Sequence, residues 1–99
     1  MKRVLVVEDN KDNLRLISYV LEKSGYEVIS AETGEEGIDL ALKETYLFIL
    51  MDIDLPGIDG VETTKRMRHS GVKLPIIAIT SYAMSGDRQK IIYKEPVQR

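Results

Sequence analysis

Short aliphatic runs alternate with amphipathic segments along this chain of 99 residues, and that alternation restricts the fold more than any other feature. Val4–Val7 and Leu47–Met51 are continuous rather than interleaved with polar residues, as is typical of strands that are buried on both faces of a sheet. Strand-length runs occur four times along the chain. They predict four strands, at residues 3–8, 27–31, 47–51 and 76–80. Strands that alternate with helices indicate an α/β fold with a parallel sheet, right-handed crossovers and helices on both faces.

The segments between the runs carry helix start and stop signals. Asn10 to Asp12 predict the start of a first helix, which runs through about Ser24 and ends at Gly25. Thr33 and Glu36 fit a capping box at the start of a second helix. Two further helices are predicted over residues 61–69 and from residue 86 to about residue 92. The predicted apolar faces of the first two helices contain Leu14, Ile17, Val20 and Leu21, and then Ile38, Ala41 and Leu42.

Three carboxylates stand where two of the predicted strands end. Glu8 and Asp9 follow the first run, and Asp52 follows the third. Ligands of open parallel sheets bind outside the carboxyl ends of the strands, and these carboxylates converge there if the two strands are neighbours. A cluster of carboxylates repels itself unless a cation neutralises the charge, and all-oxygen ligands suit a hard cation such as Mg²⁺. The sequence therefore predicts an acidic, magnesium-type pocket at this edge of the sheet.

Composition excludes several classes of function. The length suits one small domain and leaves no room for an effector domain. The net charge is −2 with acids and bases mixed along the chain, which gives no case for nucleic-acid binding. There is no Cys, so disulfides, thiolate catalysis and Cys-based zinc sites are excluded. The apolar runs are too short to cross a membrane, and the N-terminus carries no signal-peptide pattern, so we expect a cytoplasmic protein with no membrane partner.

Three segments in order give the chain a specific resemblance to a known family. They are Val4–Asn10, Met51–Gly60 and Ile76–Ala83. Together they resemble the receiver domain of two-component response regulators, from residue 2 to about residue 91. The resemblance implies a flavodoxin-like doubly wound sheet with the strand order 2-1-3-4-5. It also implies that residues 1–99 form a single, stand-alone receiver domain that acts as a phospho-switch in a phosphorelay.

The resemblance implies a role for each site residue. Asp52 accepts a phosphoryl group from a phosphohistidine on a sensor histidine kinase or phosphotransfer protein. Asp9 binds Mg²⁺ directly and Glu8 supports it through water, while Asp52 and the backbone carbonyl of Asp54 complete the metal site. Thr80 hydrogen-bonds the phosphoryl oxygen, and a Lys near the end of the fifth strand pairs with it. Such a domain catalyses only its own phosphorylation and dephosphorylation, and its output is contact with a downstream protein target.

The C-terminal end departs from the family pattern. Several residues between Thr80 and the expected Lys are absent, the last helix is missing, and Glu95 separates Lys94 from Pro96. We predict Lys94 as the residue that pairs with the phosphoryl group, with Lys90 as the alternative, and a fifth strand that is incomplete. A sheet with an uncovered edge of this kind favours a homodimer.

Two other functions stay open at the level of sequence. Asp52 and Asp54, after an apolar strand, also resemble the motif of haloacid-dehalogenase-type phosphatases, in which the first Asp is a Mg²⁺-assisted nucleophile. Pro56 stands where that motif has Thr or Val, and Glu8 and Asp9 have no role in it. The other alternative is a phosphorylation-deficient receiver that serves as a scaffold or a dimerising variant.

Overall fold

The computed structural model describes residues 2–79, which form a four-stranded parallel sheet with three helices. The strand order is β2-β1-β3-β4. The elements are β1 Arg3–Val7, α1 Lys11–Lys23, β2 Glu27–Ala31, α2 Gly34–Lys43, β3 Ile49–Asp52, α3 Gly60–His69 and β4 Ile76–Ile79. The predicted α/β class is confirmed, and so is the order that the resemblance implied for these strands. The predicted helix at residues 86–92, the fifth strand and the homodimer edge lie outside the described residues.

The two faces of the sheet are covered by different helices. The chain steps from β1 to β2 in one direction and from β2 to β3 in the other, so right-handed crossovers place α1 and α2 on opposite faces. The step from β3 to β4 continues in the second direction, and α3 therefore lies beside α2. The main core lies beneath these two helices, where Val7, Met51, Ala41 and Met67 belong to one buried cluster.

The central strands are buried on both faces, as the continuous aliphatic runs predict. Val4, Leu5, Val6 and Val7 of β1 are each 0% exposed, although successive side chains point to opposite faces. Every residue of β3 is buried as well. Full burial of such aliphatic side chains contributes about 1.5–3 kcal/mol each. Burial of side chains on both faces therefore stabilises the two central strands.

Two residues predicted for the apolar helix faces point to solvent instead. Ile17 and Leu21 of α1 are half-buried, but Val20 is 55% exposed. In α2, Leu42 is 53% exposed, and Leu40 packs against the core in its place. Consecutive helical residues are separated by about 100° around the axis, so a residue at the margin of an apolar stripe can fall outside it. The predictions for Val20 and Leu42 are wrong for this reason.

The boundaries of β3 differ from the prediction at both ends. The strand begins at Ile49 rather than Leu47, whose side chain is 50% exposed although its N–H donates to the carbonyl of Arg3 at 2.8 Å. At its other end the strand includes Asp52, which pairs with Ile79 of β4. Asp52 is therefore the last residue of a buried strand rather than the first residue of a loop.

The helix termini follow the predicted signals. Asn10 caps α1, and the Thr33 side chain accepts a hydrogen bond from the N–H of Glu36 at the start of α2. Gly25 and Gly71 follow α1 and α3 with φ values of 95° and 101°, a conformation that favours glycine. Within residues 2–79, none of the helices has the length and apolar character needed to span a membrane.

Candidate functional site

Three predicted carboxylates come together at the carboxyl edge of the sheet. β1 and β3 are hydrogen-bonded neighbours with Val7 opposite Met51, so Glu8 and Asp52 follow at adjacent positions. One carboxylate oxygen from each of Glu8, Asp9 and Asp52 lies within 4.8 Å of the others. The convergence that the sequence predicted is thus observed, whereas the role of each residue stays a prediction.

The three carboxylates differ in burial. Glu8 is 3% exposed and Asp52 is 1% exposed, whereas Asp9 lies at the surface. In the part of the chain that the structure describes, no lysine or arginine forms an ion pair with any of them. Buried charges are normally paired or coordinated to a metal, because desolvation of an isolated charge is costly. A purely structural role therefore does not explain why these carboxylates are buried together.

Backbone N–H groups hold the two buried carboxylates. The Glu8 Oε2 atom accepts a hydrogen bond from the N–H of Asn10 at 3.1 Å, and the Asp52 Oδ1 atom accepts one from the N–H of Asp54 at 3.0 Å. The second oxygen, Asp52 Oδ2, is buried and has no hydrogen-bond partner among the described residues. An unsatisfied buried acceptor costs about 1–3 kcal/mol. It is the kind of atom that interacts with a bound ligand.

Burial opposes ionisation of both inner carboxylates. Burial is the largest cause that raises the pKa of Glu8 to about 7, and the negative charge of Asp52 adds to it. The pKa of Asp52 is also raised, again mainly by burial, while the hydrogen bond from the N–H of Asp54 acts in the opposite direction. Two like charges at one site disfavour each other, and a divalent cation removes the conflict.

Backbone hydrogen bonds hold both ends of the loop that follows β3. The N–H of Ile53 donates to the carbonyl of Ile79 at 2.9 Å, and the N–H of Gly60 donates to the carbonyl of Ile53 at 3.0 Å. The Asp59 side chain caps α3 through a hydrogen bond of 2.8 Å. Asp54, the first residue beyond the Ile53 anchor, is exposed at the rim of the carboxylate cluster. Sequence reasoning did not single out Gly60 from the segment that contains it, although an Asp-Gly pair before a helix is a visible signal.

The other predicted site residues belong to the C-terminal part of the chain. Thr80, Lys94 and the alternative Lys90 lie outside the described residues. Thr80 directly follows Ile79 in the sequence, and Ile79 is the partner of Asp52 in the sheet register. The roles predicted for Thr80 and for the two lysines stay predictions.

Comparison with known proteins identifies the family. The response regulator receiver domain family matches residues 4–96 of this chain. The chain belongs to that family. The receiver resemblance read from the three sequence segments is thereby confirmed, and the chain is a signalling domain of the two-component type. The assignment of all of residues 1–99 to one stand-alone domain stays a prediction.

The chain is similar to known receiver proteins over most of its own length. The polar-differentiation response regulator DivK of Brucella ovis is 43% identical over an alignment of 96 positions, which covers 91% of this chain and 75% of DivK. The response regulator TrrA of Thermotoga maritima, solved in complex with Mg²⁺-BeF, is 31% identical with a TM-score of 0.78, over 92% of this chain and 86% of that one. A structure of the histidine kinase ThkA in complex with TrrA matches at 36% identity and a TM-score of 0.76, over 91% of this chain and 76% of that one.

Proposed function

We propose that this receiver domain is a Mg²⁺-dependent phospho-switch that accepts a phosphoryl group on Asp52. The observation that carries the proposal is the Asp52 Oδ2 atom, which is buried without a hydrogen-bond partner among the described residues, inside a cluster of carboxylates. The Oδ1 atom is engaged by the N–H of Asp54, so Oδ2 is the oxygen left to react. A carboxylate oxygen that attacks the phosphorus of a phosphohistidine forms a P–O bond and breaks the P–N bond, and the electron pair leaves with the imidazole nitrogen.

The described residues fit a magnesium ion. All ligand atoms in the cluster are carboxylate oxygens, which are the donors that hard cations prefer, and they lie within 4.8 Å of one another. Asp9 and Asp52 would hold the ion directly, Glu8 would support it through water, and the backbone carbonyl of Asp54 would complete the set. When bound, the ion supplies positive charge that offsets the negative charge developing on the transferred phosphoryl group.

The protein's own groups would orient the reacting carboxylate. The N–H of Asp54 fixes the rotation of the Asp52 carboxylate, whose second oxygen has no hydrogen-bond partner among the described residues. Fixed orientation lowers the barrier because the reacting atoms need no further ordering. We propose Thr80 and Lys94 as contacts to the phosphoryl group, with Lys90 as the alternative lysine.

The proposed phosphodonor is a sensor histidine kinase or a phosphotransfer protein. The ThkA–TrrA complex, whose fold match spans most of this chain, supports the kinase as the partner. We propose that the domain catalyses only its own phosphorylation and dephosphorylation and that its output is contact with a downstream protein target. The phosphatase alternative is not favoured, because the receiver family matches residues 4–96. The phosphatase motif also leaves Glu8 and Asp9 without a role.

Intact mass after incubation with acetyl phosphate and Mg²⁺ tests this proposal. We expect the wild-type chain to gain one phosphoryl group and the Asp52→Asn variant to gain none, because an amide cannot act as the nucleophile. Removal of Mg²⁺ with a chelator is expected to abolish the gain in the wild type. A wild-type chain that gains no mass, or an Asp52→Asn variant that gains as much as the wild type, would refute the proposal.

A further inference from the structure

A glycine at the start of α3 lies against the backbone of the proposed phosphoacceptor. A Cβ atom built on Gly60 would lie 2.3 Å from the carbonyl oxygen of Asp52 and 2.7 Å from the Cα of Ile53. Both distances are far shorter than van der Waals contact, and both atoms belong to the backbone. Rotation of a side chain cannot relieve such a contact. Any other residue at position 60 must displace either the first turn of α3 or the Asp52–Ile53 peptide.

Hydrogen bonds fix the glycine in this position. Its N–H donates to the carbonyl of Ile53 at 3.0 Å, and its carbonyl accepts a hydrogen bond from the Thr64 hydroxyl at 2.8 Å. The Asp59 side chain caps the same turn of the helix. Gly60 itself is buried. The first of these bonds links the start of α3 to Ile53, the residue after β3, and the other two hold the first turn of α3 together.

The Asp52–Ile53 peptide connects the groups that the site uses. Asp52 supplies the carboxylate before this peptide, and Asp54 supplies the N–H that holds that carboxylate and the carbonyl proposed for the metal. Displacement of the peptide consequently moves these groups together. Loss of groups that orient metal ligands typically weakens metal affinity or activity about 10–100-fold.

We propose that Gly60 is a positioning residue for the Asp52 site. Its lack of a side chain allows α3 to rest on the Asp52–Ile53 peptide and thereby sets the positions of the Asp52 carboxylate and the Asp54 carbonyl. Glycine is a poor helix former, so helix propensity does not explain its presence in the first turn of α3. The inference rests on the proposed function, because the positioned groups are those assigned to Mg²⁺ and the phosphoryl group.

The Gly60→Ala variant tests the inference against Gly37→Ala. Gly37 is also buried in a helix, but a Cβ there would meet the side chain of Val7 at 2.9 Å rather than backbone. In both variants and the wild type, Mg²⁺ is titrated while the amide NMR shifts of residues 52–54 are recorded, below the onset of unfolding. We expect Gly60→Ala to weaken Mg²⁺ affinity about tenfold or more and Gly37→Ala to leave it within about twofold.

Two further readouts separate positioning from general destabilisation. The amide shift of Asp54 in Mg²⁺-free protein is expected to move in Gly60→Ala and to stay near the wild-type value in Gly37→Ala. The rate of phosphorylation by acetyl phosphate at saturating Mg²⁺ is expected to fall in Gly60→Ala alone. Because the amide shifts are read from folded protein, a variant that is merely less stable would not change them.

If Gly60→Ala does not fold, a second pair of variants tests whether the first turn of α3 positions the Asp52 site. Asp59→Ala removes the cap and loosens the first turn of α3 without adding atoms, whereas Asp59→Asn keeps a capping side chain and removes only the charge. We expect weaker Mg²⁺ binding in Asp59→Ala and near wild-type binding in Asp59→Asn. Equal Mg²⁺ affinities in this pair would overturn the inference.

The outcomes distinguish this inference from the proposed function. If the wild type binds Mg²⁺ and takes up a phosphoryl group, but Gly60→Ala behaves as Gly37→Ala does, then the positioning role is wrong and the function stands. If the wild type gains no phosphoryl group, the function fails, and the Mg²⁺ affinities and amide shifts still decide whether Gly60 positions the cluster.

Discussion

At the scale of single residues, the surroundings of Glu8 disfavour its negative charge. It is 3% exposed, and its pKa is raised from 4.5 to about 7, mainly by burial. Since the pKa is higher in the folded chain than in the unfolded chain, the folded state binds more protons between these values. Without Mg²⁺, this group therefore stabilises the fold below about pH 4.5 and loses that contribution as the pH rises toward 7.

We expect Glu8→Gln to reduce the pH dependence of stability, because glutamine does not titrate. In Mg²⁺-free urea unfolding, the wild-type free energy of unfolding should fall relative to that of Glu8→Gln between about pH 5 and pH 7.5, by no more than about 1.4 kcal/mol per pH unit. Glu35→Gln, which changes an exposed acid of α2, is the control. A constant difference in stability between the wild type and Glu8→Gln over this range would contradict the account.

The sequence identified the carboxylates but not their burial or the role of Gly60. The sequence singles out Glu8, Asp9 and Asp52 because they follow aliphatic runs. The carboxyl ends of the strands are where open parallel sheets bind ligands. Whether Asp52 lies inside the strand depends on its pairing with Ile79, which is a tertiary contact. The close approach of Gly60 to the backbone is likewise set by the packing of α3.

At the scale of elements, the helical period predicts which side of a helix faces the sheet but not where the buried stripe stops. Ala41 of α2 lies in the core as predicted, whereas Leu42, the next residue, is exposed. Met67 of α3 is 0% exposed and belongs to the same core cluster. The edge of the buried face of α2 depends on how closely α2 and α3 pack. The sequence of one helix alone does not specify the distance between the two helices.

This difference predicts unequal effects of two truncations to alanine. Met67→Ala should lower the free energy of unfolding by about 2–5 kcal/mol, because it removes buried atoms and leaves a cavity. Leu42→Ala should change it by less than about 0.5 kcal/mol, since the side chain is largely in water. Urea unfolding of both variants provides the measurement, and equal losses of stability would show that Leu42 is part of the core after all.

At the scale of the whole molecule, the order of the strands in the sheet brings the carboxylates of the site together. β1 and β3 are separated in sequence by a complete strand and two helices, yet they are neighbours in the sheet. The alternation of strands and helices predicted a parallel α/β sheet, but alternation is compatible with more than one strand order. The order 2-1-3-4 was inferred from the family resemblance, which is why the convergence of the carboxylates was conditional at the level of sequence.

Mg²⁺ should stabilise the folded chain, because the unfolded chain does not hold the carboxylates together. At a concentration one hundred times the dissociation constant, the gain is about 2.7 kcal/mol. We expect Tm to rise with Mg²⁺ near neutral pH and to rise less near pH 5, where Glu8 is protonated. Replacement of Asp9 by Asn should reduce the shift, and an unchanged shift in Asp9→Asn would exclude Asp9 as a ligand.

The most direct test of the central claim is to locate the phosphoryl group chemically. After phosphorylation with acetyl phosphate and Mg²⁺, borohydride reduces an aspartyl phosphate to homoserine, and tandem mass spectrometry of the peptides identifies the reduced position. The account predicts homoserine at position 52 and at no other aspartate. Homoserine at Asp9 or Asp54, or a phosphoryl group carried on a hydroxyl or on His69, would contradict it.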